Sequence, residues 1–163
     1  MDAQPPEQRL YQRMSELGFR LGTAESCTGG LIGHKITNVP GASSYYQGGV
    51  VSYANQAKVW LLGVRQETLD RYGAVSRETV IEMARGVRSA LEADVGLSVS
   101  GIAGPDGGTA EKPVGLVWVG LSYSGVDLAQ AFQFQGNRQQ IKEQAAQAAL
   151  GFLLDFLDTL NFK

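Results

Sequence analysis

Strand-like and helix-like runs follow one another along this chain in the order β-α-β-α-β-β-β-α, with one further helix in front. That order predicts a three-layer α/β/α sandwich around a mixed, mostly parallel five-stranded sheet. Arg20 to Glu25, Gly48 to Tyr53 and Val95 to Ile102 read as the first three strands. Val114 to Tyr123 and Leu128 to Phe134 read as the last two, joined by a turn at Ser124-Gly125. Behind Pro6, the residues Leu10, Met14 and Leu17 recur at helical spacing, with Gly18 as the stop. Leu31, Ile32 and Ile36 continue as a helix from the turn Ser26-Cys27-Thr28-Gly29-Gly30 and end at Asn38-Val39-Pro40-Gly41. Asn55 is the expected cap of a helix carrying Lys58, Val59, Leu61 and Leu62, which Gly63 closes. Ser76 caps the clearest amphipathic helix, Arg77 to Glu92, whose Val80, Ala84, Val87 and Leu91 share a face. The last helix is expected from about Asn137 to Asp158 along the stripe Ile141, Ala145, Ala148, Phe152 and Phe156.

Right-handed crossovers make the first three strands parallel, so their carboxyl ends share one edge of the sheet. Those ends carry Ser26, Tyr53 and the Gly101 loop. The fourth strand returns antiparallel and the fifth turns back again, delivering Gly136-Asn137-Arg138 to the same edge. Open α/β sheets bind ligands there.

Composition narrows the function classes. One cysteine and one histidine exclude an internal disulfide framework and a four-ligand zinc site of those residues, and any histidine-dependent triad has only His34 to use. A net charge of -2 gives no global attraction to nucleic acid or an anionic membrane. No apolar run approaches the roughly 18 residues of a membrane span, and Met1 to Pro6 lack the pattern of a signal peptide. The 163 residues are expected to form one cytoplasmic domain, with residues 1–5 loose. Small α/β enzymes with apolar edge strands often dimerise, so a homodimer is expected. The 21 glycines exceed the usual share of about 7%. Gly29, Gly30, Gly48, Gly49, Gly101, Gly104, Gly107 and Gly108 fall in segments expected near the ligand edge, and the rest are expected to serve turns and helix ends.

Ser26 follows a strand and precedes a glycine-opened helix, a turn that exposes a nucleophile beside helix N–H groups. Those of Thr28, Gly29 and Gly30 could hold an oxyanion. Read locally, Ser26 or Thr28 as a simple helix cap remains an open alternative. Lys58 sits in a first helical turn, where the dipole disfavours its charge, so it could accept the serine proton. Tyr53 could relay that proton or orient the lysine. Alone, Lys58 reads as solvated and Tyr53 as a half-buried strand residue. His34 lies about two helical turns beyond Ser26 and points away from the turn. Cys27 ranks below Ser26, because its side chain should point elsewhere. Arg138 at the start of the last helix is a natural phosphate partner. Glu111 and Lys112 read as an exposed ion pair.

Together these segments resemble the C-terminal domain family of competence/damage-inducible CinA proteins. The resemblance is carried by Ala24-Glu25-Ser26-Cys27-Thr28-Gly29-Gly30, by Gly48-Gly49-Val50-Val51-Ser52-Tyr53-Ala54-Asn55 with Lys58 and Leu61-Leu62-Gly63-Val64, by Gly73-Ala74-Val75-Ser76, and by Gly101 to Pro105 through Glu111 to Gly115. It implies a nicotinamide-nucleotide amidohydrolase, releasing nicotinate mononucleotide and ammonia from nicotinamide mononucleotide in pyridine nucleotide recycling. It implies a Ser-Lys site assisted by a tyrosine, which falls here on Ser26, Lys58 and Tyr53, with no metal or cofactor. Oxyanion and substrate contacts are expected from Thr28, Gly29, Gly30, Gly48, Gly49, Asn55, Ser100, Gly101 and Arg138. Gly136-Asn137-Arg138 stands where the family usually has Gly-Asp-Arg, keeping the arginine. The length matches the stand-alone form, without the additional domain that many relatives carry. The competing expectation is a non-catalytic nucleotide- or phosphate-sensing module that signals to a protein partner.

Overall fold

The structure is a computed structural model and describes residues 3–160. Its elements are α1 (Pro6–Leu17), β1 (Leu21–Glu25), α2 (Leu31–Thr37), a 3-10 turn (Ala42–Ser44), β2 (Tyr46–Val51), α3 (Asn55–Leu62), α4 (Gln66–Tyr72), α5 (Arg77–Ala90), β3 (Val95–Gly101), β4 (Leu116–Tyr123), β5 (Val126–Gln133) and α6 (Arg138–Thr159). The sheet order is β2-β1-β3-β4-β5. The pairs β1–β2 and β1–β3 are parallel, and β3–β4 and β4–β5 are antiparallel. β5 therefore runs with the first three strands, and only β4 opposes them.

Alternation along the strands builds two cores. Val95, Leu97 and Val99 of β3 and Val117, Val119 and Leu121 of β4 pack with Leu10, Ile32, Ile36 and the α6 stripe. The other face packs Ala24 and the flanks of β4 and β5 against Leu62, Val80, Met83 and Val87. On that second face the strands show mostly small residues. A Cβ on Gly96 would stand 2.1 Å from the Ala84 carbonyl oxygen, and one on Gly120 would stand 2.5 Å from that of Val80. α5 lies flush on the sheet because nothing larger is there. At Gly86 a Cβ would meet the Leu62 carbonyl at 1.8 Å, so the crossing of α3 over α5 also depends on glycine. These positions serve close packing and not the turns and helix ends expected of them.

Local chemistry sets the ends. Gly18 closes α1 in the left-handed region, and Ser76 caps α5 by accepting from the Thr79 N–H. Asn137 and Gln140 form a reciprocal capping box that starts α6. Three expectations need correction. α4 and the 3-10 turn were not foreseen. The residue before α3 is Ala54, with no side-chain cap, so Asn55 is the first helical residue rather than the cap. Lys112 donates to the Tyr72 carbonyl instead of pairing with Glu111. Of the stretch expected to be loose, residues 1 and 2 lie outside the described residues. Residues 3–5 have no regular structure, and the Pro5 carbonyl accepts the first N–H bonds of α1. Among the described residues no helix is long and apolar enough to cross a membrane.

Candidate active site

β1 sits at the centre of the parallel part of the sheet, with β2 and β3 on either side. The chain leaves β1 toward one face through α2 and leaves β2 toward the other through α3. The carboxyl ends of β1 and β3 thus frame a crevice at the point where the connections diverge. Beyond Glu25 the ladder continues for one step each way. Ser52 N–H donates to the Glu25 carbonyl, and Ser26 N–H donates to the Val99 carbonyl. Ser26 is held rigidly at the strand end.

α3 brings Lys58 underneath. The side chain is 1% exposed, and its Nζ lies 3.0 Å from Ser26 Oγ, 2.8 Å from the Ser52 carbonyl oxygen and 3.3 Å from the Tyr53 carbonyl oxygen. Burial lowers the lysine from 10.5 to about 8. The partners fix how the amine is used. Two carbonyls can only accept, so a neutral amine gives both its hydrogens to them. Protonated, the amine also donates to Ser26 Oγ; once neutral, it keeps its lone pair for the serine hydroxyl.

The crevice is a cavity of about 350 Å³. That lies near the lower end of small-molecule sites, which run from roughly 300 to 1,000 Å³. Ser26, Lys58 and Ser100 form its polar floor, and the Gly101–Gly104 segment forms a wall. Exposed Tyr53, Asn55, Asp106 and Arg138 form the rim. Arg138 ties that rim together, donating to the Gly104 carbonyl at 2.7 Å and to the Tyr53 hydroxyl at 2.9 Å. Gly104 has φ +77, and a Cβ there would press on Val114 at 2.5 Å, so this wall admits only glycine.

Seven of the residues expected at the site converge on this cavity: Ser26, Tyr53, Asn55, Lys58, Ser100, Gly101 and Arg138. Thr28, Gly29, Gly30, Gly48 and Gly49 do not line it. Gly29 N–H is committed to the Ser26 carbonyl, and Gly49 packs against Thr23 and Tyr46. Tyr53 reaches the lysine through its main-chain carbonyl, while its hydroxyl accepts from Arg138. In this arrangement the phenol stands on the rim and does not bridge Ser26 and Lys58. His34 is exposed on α2, close to Asn38. Cys27 touches the cavity, but burial pushes its thiol up to about 12, which suppresses the thiolate.

Glu25 was read only as part of a strand. It is 2% exposed, and its carboxyl oxygens accept from Thr28 Oγ1 at 2.6 Å, Ile32 N–H at 2.8 Å and Gly33 N–H at 3.1 Å. It therefore clamps the turn that carries Ser26 onto the start of α2. Replacing Glu25 with Ala strands those buried donors and should cost about 2–4 kcal/mol, read by urea unfolding. Ala74 and Val75 also line the cavity and were not foreseen as site residues. The Gly73 carbonyl beside them is gripped by the hydroxyls of Ser76 and Thr79. Their signal in the sequence was the Gly73-Ala74-Val75-Ser76 segment lying between two helices.

A family model described as the CinA C-terminal domain matches residues 3–157. The chain is similar to a CinA-like protein of Kosmotoga olearia, 48% identical over 147 residues, covering 90% of this chain and 36% of that protein. It spans about a third of the length of the curated relatives it matches. Among solved structures it is similar to the competence/damage inducible protein CihA from Agrobacterium tumefaciens, with 39% identity and TM-score 0.90, covering 97% of this chain and 99% of that one. It is also similar to a competence or damage-inducible protein from Enterobacter asburiae, with 37% identity and TM-score 0.90, covering 93% and 96%.

Proposed function

The chain belongs to the CinA C-terminal domain family, and from that premise, together with the contact between Lys58 and Ser26, we propose that it is a nicotinamide-nucleotide amidohydrolase. The single observation that carries the reading is the buried contact of Lys58 Nζ with Ser26 Oγ at 3.0 Å, the amine's other partners being the Ser52 and Tyr53 carbonyls. A phosphate sensor gains nothing from a lysine buried beneath a serine and tied to carbonyls.

Lys58 takes the Ser26 proton as Oγ attacks the carboxamide carbon of nicotinamide mononucleotide. The oxyanion falls to main-chain N–H groups of the cavity wall in the Ala103–Gly104 segment, since Gly29 N–H is already committed. The C–N bond breaks, and Lys58 returns its proton to the departing nitrogen as ammonia. Water, deprotonated by the same lysine, then cleaves the acyl-serine ester and releases nicotinate mononucleotide. Arg138, with N–H donors left beyond its two bonds, and the glycine-rich loop hold the ribose phosphate. Tyr53 and Asn55 guide the ribose at the rim.

Incubation with nicotinamide mononucleotide should release ammonia and nicotinate mononucleotide in equal amounts. No ammonia at micromolar enzyme would overturn the reading. The enzyme serves cytoplasmic pyridine nucleotide recycling as a homodimer, for which Trp60 (78% exposed) and Leu61 (55%) on α3 are the candidate apolar contacts. Trp60→Glu should shift the sedimentation coefficient from dimer to monomer. An unchanged dimer removes this face from consideration.

A further inference from the structure

Between β3 and β4 the glycine-rich segment leaves the sheet as an excursion that is pinned at its base and at one point beyond it. The base is closed by the Ile102 N–H donating to the Leu116 carbonyl and the Gly115 N–H donating to the Ile102 carbonyl, and Arg138 holds the Gly104 carbonyl. Residues 105–111 are all exposed. Thr109 and Lys112 close a turn on each other, through the Thr109 N–H to the Lys112 carbonyl and the Lys112 N–H to Thr109 Oγ1. Among the described residues, the one hydrogen bond that leaves residues 105–112 runs from the Lys112 ammonium to the Tyr72 carbonyl.

The receiving end suits that ammonium. Tyr72 is the last residue of α4, where carbonyls lack helical partners and the helix dipole favours a cation. Gly73 follows with φ +76, and a Cβ there would stand 3.1 Å from Lys112 Nζ, so the missing side chain leaves the ammonium its room. The Gly73 carbonyl is gripped in turn by the hydroxyls of Ser76 and Thr79 at the start of α5. Lys112 therefore docks on a shelf that is itself fixed. Ala74 and Val75, directly after the shelf, line the cavity, and so do Asp106 and Gly107 of the excursion. The Lys112 contact thus joins two lining segments that are distant in sequence.

We propose that residues 105–111 are a flap over the cavity and that Lys112, docked on the Tyr72 carbonyl, is the latch that holds it in the ligand-binding position. Lys112 is a positioning residue, since it does not line the cavity and acts through the wall it holds. A ligand that needs the latched wall binds with an apparent affinity scaled by the latched fraction, so releasing the latch weakens binding and leaves the chemistry in place. The inference rests on the amidase reading only for the choice of ligand.

The test replaces Lys112 with Met, which removes the donor, and with Arg, which keeps a cationic one. Cleavage after Glu111 by a glutamyl endopeptidase reads the flap in the unliganded protein. Lys112→Met should be cut at that bond about three- to tenfold faster than the original protein, the factor that one hydrogen bond of this kind supports. Lys112→Arg should be cut at close to the original rate. Hydrolysis of nicotinamide mononucleotide by Lys112→Met should show a similar rise in KM, with kcat within about twofold, because Ser26 and Lys58 are held by β1, β2 and α3 and not by the flap. The Arg variant should restore KM. Equal cleavage of Lys112→Met and the original protein, a loss confined to kcat, or a fall in Tm with KM unchanged overturns the latch. If the unsubstituted enzyme releases no ammonia, the amidase reading falls, and the cleavage rates alone still uphold or overturn the latch.

Discussion

Ser26→Ala should abolish amide hydrolysis, lowering kcat by a factor on the order of 10⁴–10⁶, while the protein stays folded. The rate falls this far because Ser26 is the cavity hydroxyl that Lys58 contacts. The Cys27 thiol is held near 12 by burial, and Lys58 is bound to two carbonyls. The fold survives because Oγ carries little structural load. It accepts from Lys58, and the turn itself is held by main-chain bonds and by Glu25. Losing one such hydrogen bond costs about 1 kcal/mol. In a domain of this size that moves Tm by roughly 2–4 °C. Ammonia release by the variant within tenfold of the original enzyme sinks the serine-nucleophile mechanism. A collapse of Tm would mean that the Ser26–Lys58 contact is structural; the helix-cap alternative is already overturned, because α2 starts from Gly30 with no side-chain cap.

The convergence of Ser26, Tyr53, Lys58 and Arg138 is legible in the sequence. It follows from strand order and from the rule that parallel strands present their carboxyl ends together, neither of which needs side-chain detail. Ser76 and Asn137 were equally legible, because a cap is a local event. α4 was not. It has seven residues with only Thr68 and Leu69 buried, too short a stretch for an apolar period to register. Gly86, Gly96 and Gly120 were opaque for a different reason. Their necessity appears only once α5 lies against β3 and β4 and a backbone carbonyl occupies the place of the missing side chain.

Within the site, proximity was legible and hydrogen-bond direction was not. Tyr53 was expected to act on the lysine through its phenol, yet a residue entering α3 from β2 turns its carbonyl toward Lys58 and its ring toward Arg138. Glu25 carried no signal of its clamp, because its three partners lie three to eight residues further on, across a glycine turn whose path sequence does not define. The N–H groups expected for the oxyanion follow the same logic. The turn closes on itself through Gly29 N–H, and Thr28 and Gly30 do not line the cavity.

Lys58→Met should lower kcat/KM by about 10³-fold or more, and its largest diagnostic is the pH profile. With the lysine held down to about 8, the original enzyme should gain rate with unit slope below pH 8 and level off above it, since the neutral amine is the base. The variant should lose that inflection and show only a weak residual rate that rises with hydroxide. Stability follows the same titration with a definite sign. Below pH 8 the lysine is protonated both folded and unfolded, and the cost of burying an ammonium is fully present. Between about 8 and 10.5 the unfolded chain binds the extra proton, so folding stability rises with pH. The size of the rise is on the order of 3 kcal/mol. Methionine strands the Ser52 and Tyr53 carbonyls at every pH, so that loss offsets the comparison without tilting it. The difference in urea stability between the original protein and Lys58→Met should therefore move in favour of the lysine as pH increases from 7.5 to 10.5. A flat difference across that window, or a rate profile with no inflection near 8 in the original enzyme, would mean that the buried amine keeps its proton and is not the base.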